Sequence, residues 1–186
     1  MALCFSAVLW SGFSCSGASP SDDNRRTRTE YEVKADFLLK IPNFVGWPTN
    51  VFPSVDAPLV VSIFGKDPFG NVIDELAGAT KHRGHPATVC RLHTVKEAID
   101  KNCHVLFVGS SEEESVEEIV AAIGNKPILT VGDVPGFAAR GNMINFVVTN
   151  KTVKFEINAK RAHDAGLRIS SQLLHLATAT TKPRQP

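Results

Sequence analysis

The side chains best suited to holding a metal or attacking an electrophile gather in one stretch. His82, His85, Cys90 and His93 fall within twelve residues, and Cys103-His104 follows. Zinc sites take their ligands as tight pairs from a turn or from one helix face. Only His82 and His85 approach that spacing, and Cys90 belongs to a strand pattern. The plainer reading is a polar loop, Lys81-His82-Arg83-Gly84-His85, facing solvent. No metal and no cofactor is expected.

A second cluster, Gly65-Lys66-Asp67-Pro68-Phe69-Gly70, has the glycine spacing of a phosphate loop. Such a loop then needs Lys and Ser/Thr, for the terminal phosphate and Mg²⁺, but Asn71 and Val72 stand there. Nucleotide hydrolysis is therefore not expected, and the glycines fit a sharp turn from strand to helix. There is no G-x-S-x-G, and Ser170-Ser171 has no local acid–base partner. Glu112-Glu113-Glu114 with Glu117-Glu118 reads as the acidic first part of a helix, where carboxylates suit the dipole. No catalytic residue emerges, and the chain is not expected to be an enzyme.

The elements that would position these groups alternate. Apolar spacing from Tyr31 to Trp47 predicts a helix kinked at Pro42 and stopped at Pro48. Strands are expected at 59–64, 87–92, 105–108 and 128–131, each a short apolar run. Between them, Asp67 and Pro68 predict one helix start, Thr94 to Lys101 a short helix, and Ser111 with Glu114 a capping box. Met143 to Val148 and Val153 to Ile157 predict a hairpin turning at Thr149-Asn150-Lys151, and Ile169 to Ala177 a last helix. The expected fold is α/β, a three-layer sandwich with a mostly parallel sheet, helices on both faces and an antiparallel edge hairpin. Ligands of such folds sit beyond the carboxyl ends of the strands, so the candidate rim is Gly65, Lys66, Asp67, Ser110 and Asp133.

The 186 residues suffice for one domain, and 43% hydrophobic against 21% charged residues is the balance of a packed globule. A net charge of +1 gives no field to recruit nucleic acid or anionic lipid. No uncharged apolar run is long enough to span a bilayer. Residues 1–21 carry no charge, and Ser16-Gly17-Ala18 has the small-x-small pattern of a signal-peptidase site. The expected organisation is a signal peptide at 1–18, a polar linker at 19–29, one domain at 30–177 and a frayed tail at 178–186. Export places the protein in the periplasm with no membrane insertion after cleavage. Gly12-Phe13-Ser14 is a poor lipobox, which argues against an anchor at Cys15. Cys90 and Cys103 would then meet oxidising conditions. A disulfide between them is disfavoured, because one lies late in its strand and the other at the start of the next, on strands that need not be neighbours.

Several blocks resemble the YfiR-like family of periplasmic proteins. They are Tyr31-Glu32-Val33-Lys34-Ala35, Asn43-Phe44-Val45-Gly46-Trp47-Pro48, the Gly65 to Gly70 loop, Cys103 to Phe107, and Ile128 to Asp133. Gly136-Phe137-Ala138-Ala139-Arg140-Gly141 runs into Met143-Ile144-Asn145-Phe146, and Phe155 to Asn158 and Gly166 to Leu174 follow in order. The resemblance implies a repressor that binds the periplasmic sensor domain of a membrane diguanylate cyclase, lowering cyclic di-GMP and biofilm formation. Pro42 interrupts the helix of the family pattern, and Gly46 replaces a charged residue common before the tryptophan. The family pattern also pairs the cysteine before His104 with one in the first strand, where this chain has Ser62 and Ile63.

Phe44 and Trp47 are the candidate partner-binding residues, as aromatic anchors beside Pro48. Two other classes stay open: a periplasmic module binding a small ligand at the strand-end rim, and an adaptor for another membrane sensor such as a histidine kinase. A homodimer stays open as well.

Overall fold

Three strands at the middle of the chain have almost no polar position, so neither of their faces can meet water. They are β2 (Leu59–Phe64), β5 (Val105–Val108) and β6 (Leu129–Gly132). The computed structural model describes residues 28–181. The expected signal peptide, most of the polar linker and the end of the tail lie outside these residues.

The remaining elements cover the two faces or extend the sheet. They are α1 (Glu30–Lys40), β1 (Val45–Gly46), α2 (Asn71–Ala79), β3 (Lys81–His82), β4 (His85–Leu92), α3 (Val95–Asp100), α4 (Val116–Ile123), β7 (Ile144–Thr149), β8 (Thr152–Asn158), α5 (Ala159–Asp164), β9 (Arg168–Ile169), α6 (Ser171–Leu176) and β10 (Ala179–Thr181). The main sheet has the order β10-β8-β7-β6-β5-β2-β4-β3, and β1 pairs with β9 in a small antiparallel sheet. β4, β2, β5, β6 and β7 run parallel, while β8 folds back on β7 as the expected antiparallel hairpin.

Alternation along the strands divides the core. Val61, Ile63, Val105, Phe107, Leu129 and Val131 face a layer built from α1, α2, α5 and α6. Phe64, Leu106 and Val108 face the other layer, where Ala98 of α3 and Val116, Ile119 and Ile123 of α4 close the core. The sheet with helices on both faces is the expected architecture.

Local boundaries differ where turn chemistry overrides periodicity. The first helix ends at Lys40, and Pro42 sits in a 3₁₀ turn at Ile41–Phe44 instead of kinking a longer helix. Val45-Gly46 then extends to pair with Ile169-Arg168, so the last helix starts only at Ser171. Asp67 does not cap α2 directly. Its Oδ1 accepts from the Phe69 and Gly70 backbone N–H groups and holds a turn, and the helix begins at Asn71. No capping box forms at Ser111, because residues Ser110–Ser115 coil as a 3₁₀ segment before α4. The tail expected to fray from residue 178 adds β10 alongside β8, extending the sheet beyond the hairpin.

Helix α5 is anchored by one guanidinium. Arg161 donates from Nε to the Gly141 carbonyl, from one terminal nitrogen to the Gly124 carbonyl and from the other to Asn125 Oδ1. These acceptors lie where α4 ends and where the chain turns toward β7, so one planar fork joins three segments. Arg161→Ala is expected to lower stability by about 2–4 kcal/mol, with little recovery in Arg161→Lys, whose single ammonium cannot span the acceptors. Urea denaturation of the three proteins checks this.

Candidate functional site

The topology puts the strand-order reversal between β2 and β5, since β4 lies on one side of β2 and β5 on the other. Ligands of open α/β sheets commonly enter at that point. Here the chain fills it. The Lys66 backbone N–H donates to Ser111 Oγ at 2.9 Å, and the Gly109 N–H donates to the Phe64 carbonyl at 3.1 Å. Gly65 has φ +90°, and a Cβ on it would lie 2.5 Å from Glu112 Cγ. Asp67 is also committed, its Oδ2 accepting from Arg91 Nε at 3.0 Å. Gly65, Lys66 and Asp67 therefore close the crevice between β2 and β5, and the rim opens further along the sheet.

That opening is a cavity of about 470 Å³ beyond β6 and β7, beside the start of α1. Ser110 and Asp133 of the candidate rim line it, together with Glu30, Tyr31, Lys34, Asn145 and Glu156. Asp133 is a structural anchor there. Its Oδ2 accepts from Lys34 Nζ at 3.1 Å and from the Tyr31 hydroxyl at 3.2 Å, and the Asp133 and Lys34 side chains are 3% and 4% exposed. Lys34 also reaches Glu30 Oε1 at 2.6 Å. Burial works against the Lys34 charge, but the Glu30 and Asp133 carboxylates outweigh it and hold the ammonium above its ordinary pKa. Burial, reinforced by the Asp133 charge, also raises the Tyr31 phenol, keeping it a neutral donor.

The opposite end of the sheet carries an aromatic and histidine cluster. Residues 47–58 run irregularly into β2, and the Phe52 ring lies stacked against His85 at 4.3 Å and His104 at 4.4 Å. Trp47 meets Phe52 and His82 edge-on and donates its indole N–H to the Pro127 carbonyl. A cavity of about 400 Å³ opens here, lined by Trp47, Phe52, Val55, His82, Arg83 and His85 among others. Phe44, the other candidate anchor, packs on the main core, and its carbonyl accepts from the Ser170 N–H. Trp47 is thus half-buried and structurally engaged, whereas Val55 at the cavity is 83% exposed.

Lys81, Arg83 and Gly84 of the histidine loop face solvent as expected, but His82 is buried and His85 half-buried. Arg83 and Gly84 take positive φ and turn β3 into β4, so His82 is drawn inward to 1% exposure. Among the described residues no group of three His, Cys, Asp or Glu side chains is placed to hold a metal. Burial, then the charges of Arg83, His85 and His104, lowers the His82 pKa to about 4. His104 Nδ1 accepts from the Val60 backbone N–H at 3.1 Å, and burial lowers its pKa as well. Cys90 on β4 and Cys103 two residues before β5 are free thiols, and burial pushes Cys103 up to about 12.

Phe52 and Val55 were missed because scattered apolar residues in a stretch broken by Pro48, Pro53 and Pro58 have no period. Asn145 and Glu156 were missed because they share a cavity only after β7 and β8 pair. No helix among the described residues is long and apolar enough to cross a membrane.

Comparison with known proteins now adds a family. The profile of a family described as YfiR/HmsC-like matches residues 31–178. Among solved structures, a conserved domain protein from Vibrio cholerae superposes with a TM-score of 0.54 at 13% identity, over 82% of this chain. The chain spans 60% of that structure, which supports the fold.

Two expected outcomes follow from this geometry. His82 has a folded pKa below its unfolded value, so its stabilisation is full above pH 6.5 and is lost as pH falls toward 4. The fall from 6.5 to about 4 corresponds to about 3 kcal/mol, and His104 acts in the same direction. Thermal melts at pH 7.5 and 4.5 should show a larger drop for the native chain than for His82→Leu. Gly65→Ala should cost more stability than Gly84→Ala, because both have positive φ but only Gly65 meets a neighbour. Denaturation midpoints of the two variants test the ordering.

Proposed function

The chain belongs to the YfiR/HmsC-like family, and on that premise we propose that it represses a membrane diguanylate cyclase by binding the cyclase's periplasmic sensor domain. The family is regulatory and non-catalytic, which agrees with a chain whose nucleotide-like loop and serine pair lack the partners that chemistry requires. Bound protein would hold the cyclase in its low-activity state, so that cyclic di-GMP and biofilm formation fall. Export to the periplasm is part of the proposal. The observation that carries it is the family match across residues 31–178, which takes in both ends of the sheet.

The surface we assign to the partner is the Trp47–Phe52–Val55 face. Trp47 supplies rigid aromatic area, but its ring and indole N–H also hold the 47–58 segment on the sheet. Val55 projects from the same cavity with no structural duty. A desolvated apolar contact at this position would be lost on introducing a carboxylate.

Val55→Asp is expected to change stability by less than about 0.5 kcal/mol, as an exposed substitution. It should nevertheless abolish co-purification with the sensor domain and raise cyclic di-GMP in a reporter strain. Trp47→Ala should lower stability by about 3 kcal/mol while also releasing the partner. Full repression by a folded Val55→Asp protein would move the partner surface elsewhere. Capture of a histidine kinase in place of a cyclase would favour the adaptor reading.

A further inference from the structure

The rim cavity beyond β6 and β7 has a chemical imbalance that the repressor reading does not use. Its lining carries three carboxylates, Glu30, Asp133 and Glu156, against one ammonium, Lys34. That ammonium is already taken, by Glu30 at 2.6 Å, by Asp133 at 3.1 Å and by the Tyr31 ring beneath it at 4.6 Å. It leaves Glu156 without a counter-ion from this wall.

An independent observation points the same way. Asp133 Oδ1 and Asn145 Oδ1 are buried oxygens with no hydrogen-bond partner, and both side chains line the cavity. Asn145 orients its amide by donating Nδ2 to Glu156 Oε2 at 3.2 Å, which turns the carbonyl oxygen to its unpaired side. Both unmet groups are acceptors. Buried acceptors are normally paired, so the site calls for donors. Beside the Ser110 hydroxyl, the accessible apolar part of the wall is Val147 and Val148, while Val134 and Phe146 lie in the core behind it. Donors, positive charge and a short hydrocarbon stem are therefore the complement of this cavity.

We propose that the rim cavity binds a small organic cation, an alkyl chain ending in a guanidinium or ammonium group. The charged head faces Glu156, Asn145 and Asp133, and the stem lies on the valine wall. The site is separate from the Trp47 face, so its failure would leave the cyclase reading untouched.

Isothermal titration of the purified protein with n-butylguanidinium tests the proposal, with n-butylurea as the neutral isostere. Saturable one-to-one binding of the guanidinium is expected, with butylurea weaker by at least about tenfold because it lacks the charge. Glu156→Gln still accepts from Asn145 and should fold, as its melting temperature will report. It should weaken the guanidinium by at least about fivefold. The acetylated tripeptide amide Gly-Arg-Gly separates the sources of the group. Binding of the tripeptide tighter than the free cation would assign the cavity to a protein side chain and overturn the small-molecule claim. Absence of saturable heat up to about 10 mM, equal binding of urea and guanidinium, or indifference to Glu156→Gln would each overturn it too.

Discussion

The three inner strands have no face that tolerates water, and most of the architecture follows from covering them. β2 and β5 are near-continuous apolar runs, so helices must lie on both sides. α1, α2, α5 and α6 take one side, α3 and α4 the other. Serving both faces makes the chain add β4 on one flank of β2 and return to add β5 on the other. That reversal creates a crevice at the strand ends, and Ser111 and Glu112 close it over Gly65. The usual ligand entrance is thereby spent on packing, and the opening moves to β6 and β7.

At that displaced rim, electrostatics and structure are coupled. Lys34 and Asp133 join the first helix to the end of β6 in a nearly dry setting. Removing either partner would strand the other charge, a change that costs several kcal/mol, while the intact pair contributes far less. Glu30 supports the ammonium from the surface, so the pair is a small network. Its geometry leaves one Asp133 oxygen unpaired beside the unpaired Asn145 oxygen, giving this rim its excess of acceptors.

The other end of the sheet is organised by ring stacking. Phe52 holds an irregular segment on the sheet by lying between His85 and His104, and Trp47 braces it from the edge. Neutral His82 and His104 suit this arrangement, because His104 spends its Nδ1 lone pair on the Val60 N–H and His82 has no access to water. The aromatic face proposed for a partner and the acid sensitivity of the fold thus share one set of residues. Arg83 and exposed Val55 rim this face, which is polar at one edge and apolar at the other.

Local pattern sufficed for the inner strands, the alternation of layers and the β7–β8 hairpin, because each depends on residues adjacent in the chain. The short apolar run Val105 to Val108, closed by Gly109, reads as a buried strand, and Thr149 to Lys151 reads as a turn. The missing Lys and Ser/Thr after the Gly65 loop likewise departed from a phosphate-loop pattern without reference to any neighbour. What the sequence left undetermined are relations between distant residues. The extended Val45-Gly46 needs Arg168-Ile169 to pair with, and the burial of His82 needs the β3–β4 turn and Phe52. Lys34 and Asp133 are ninety-nine residues apart and became one ion pair only when α1 packed on the end of β6. Periodicity reports which face a residue belongs to. It carries no information about which partner that face will meet, and only the tertiary structure decided that.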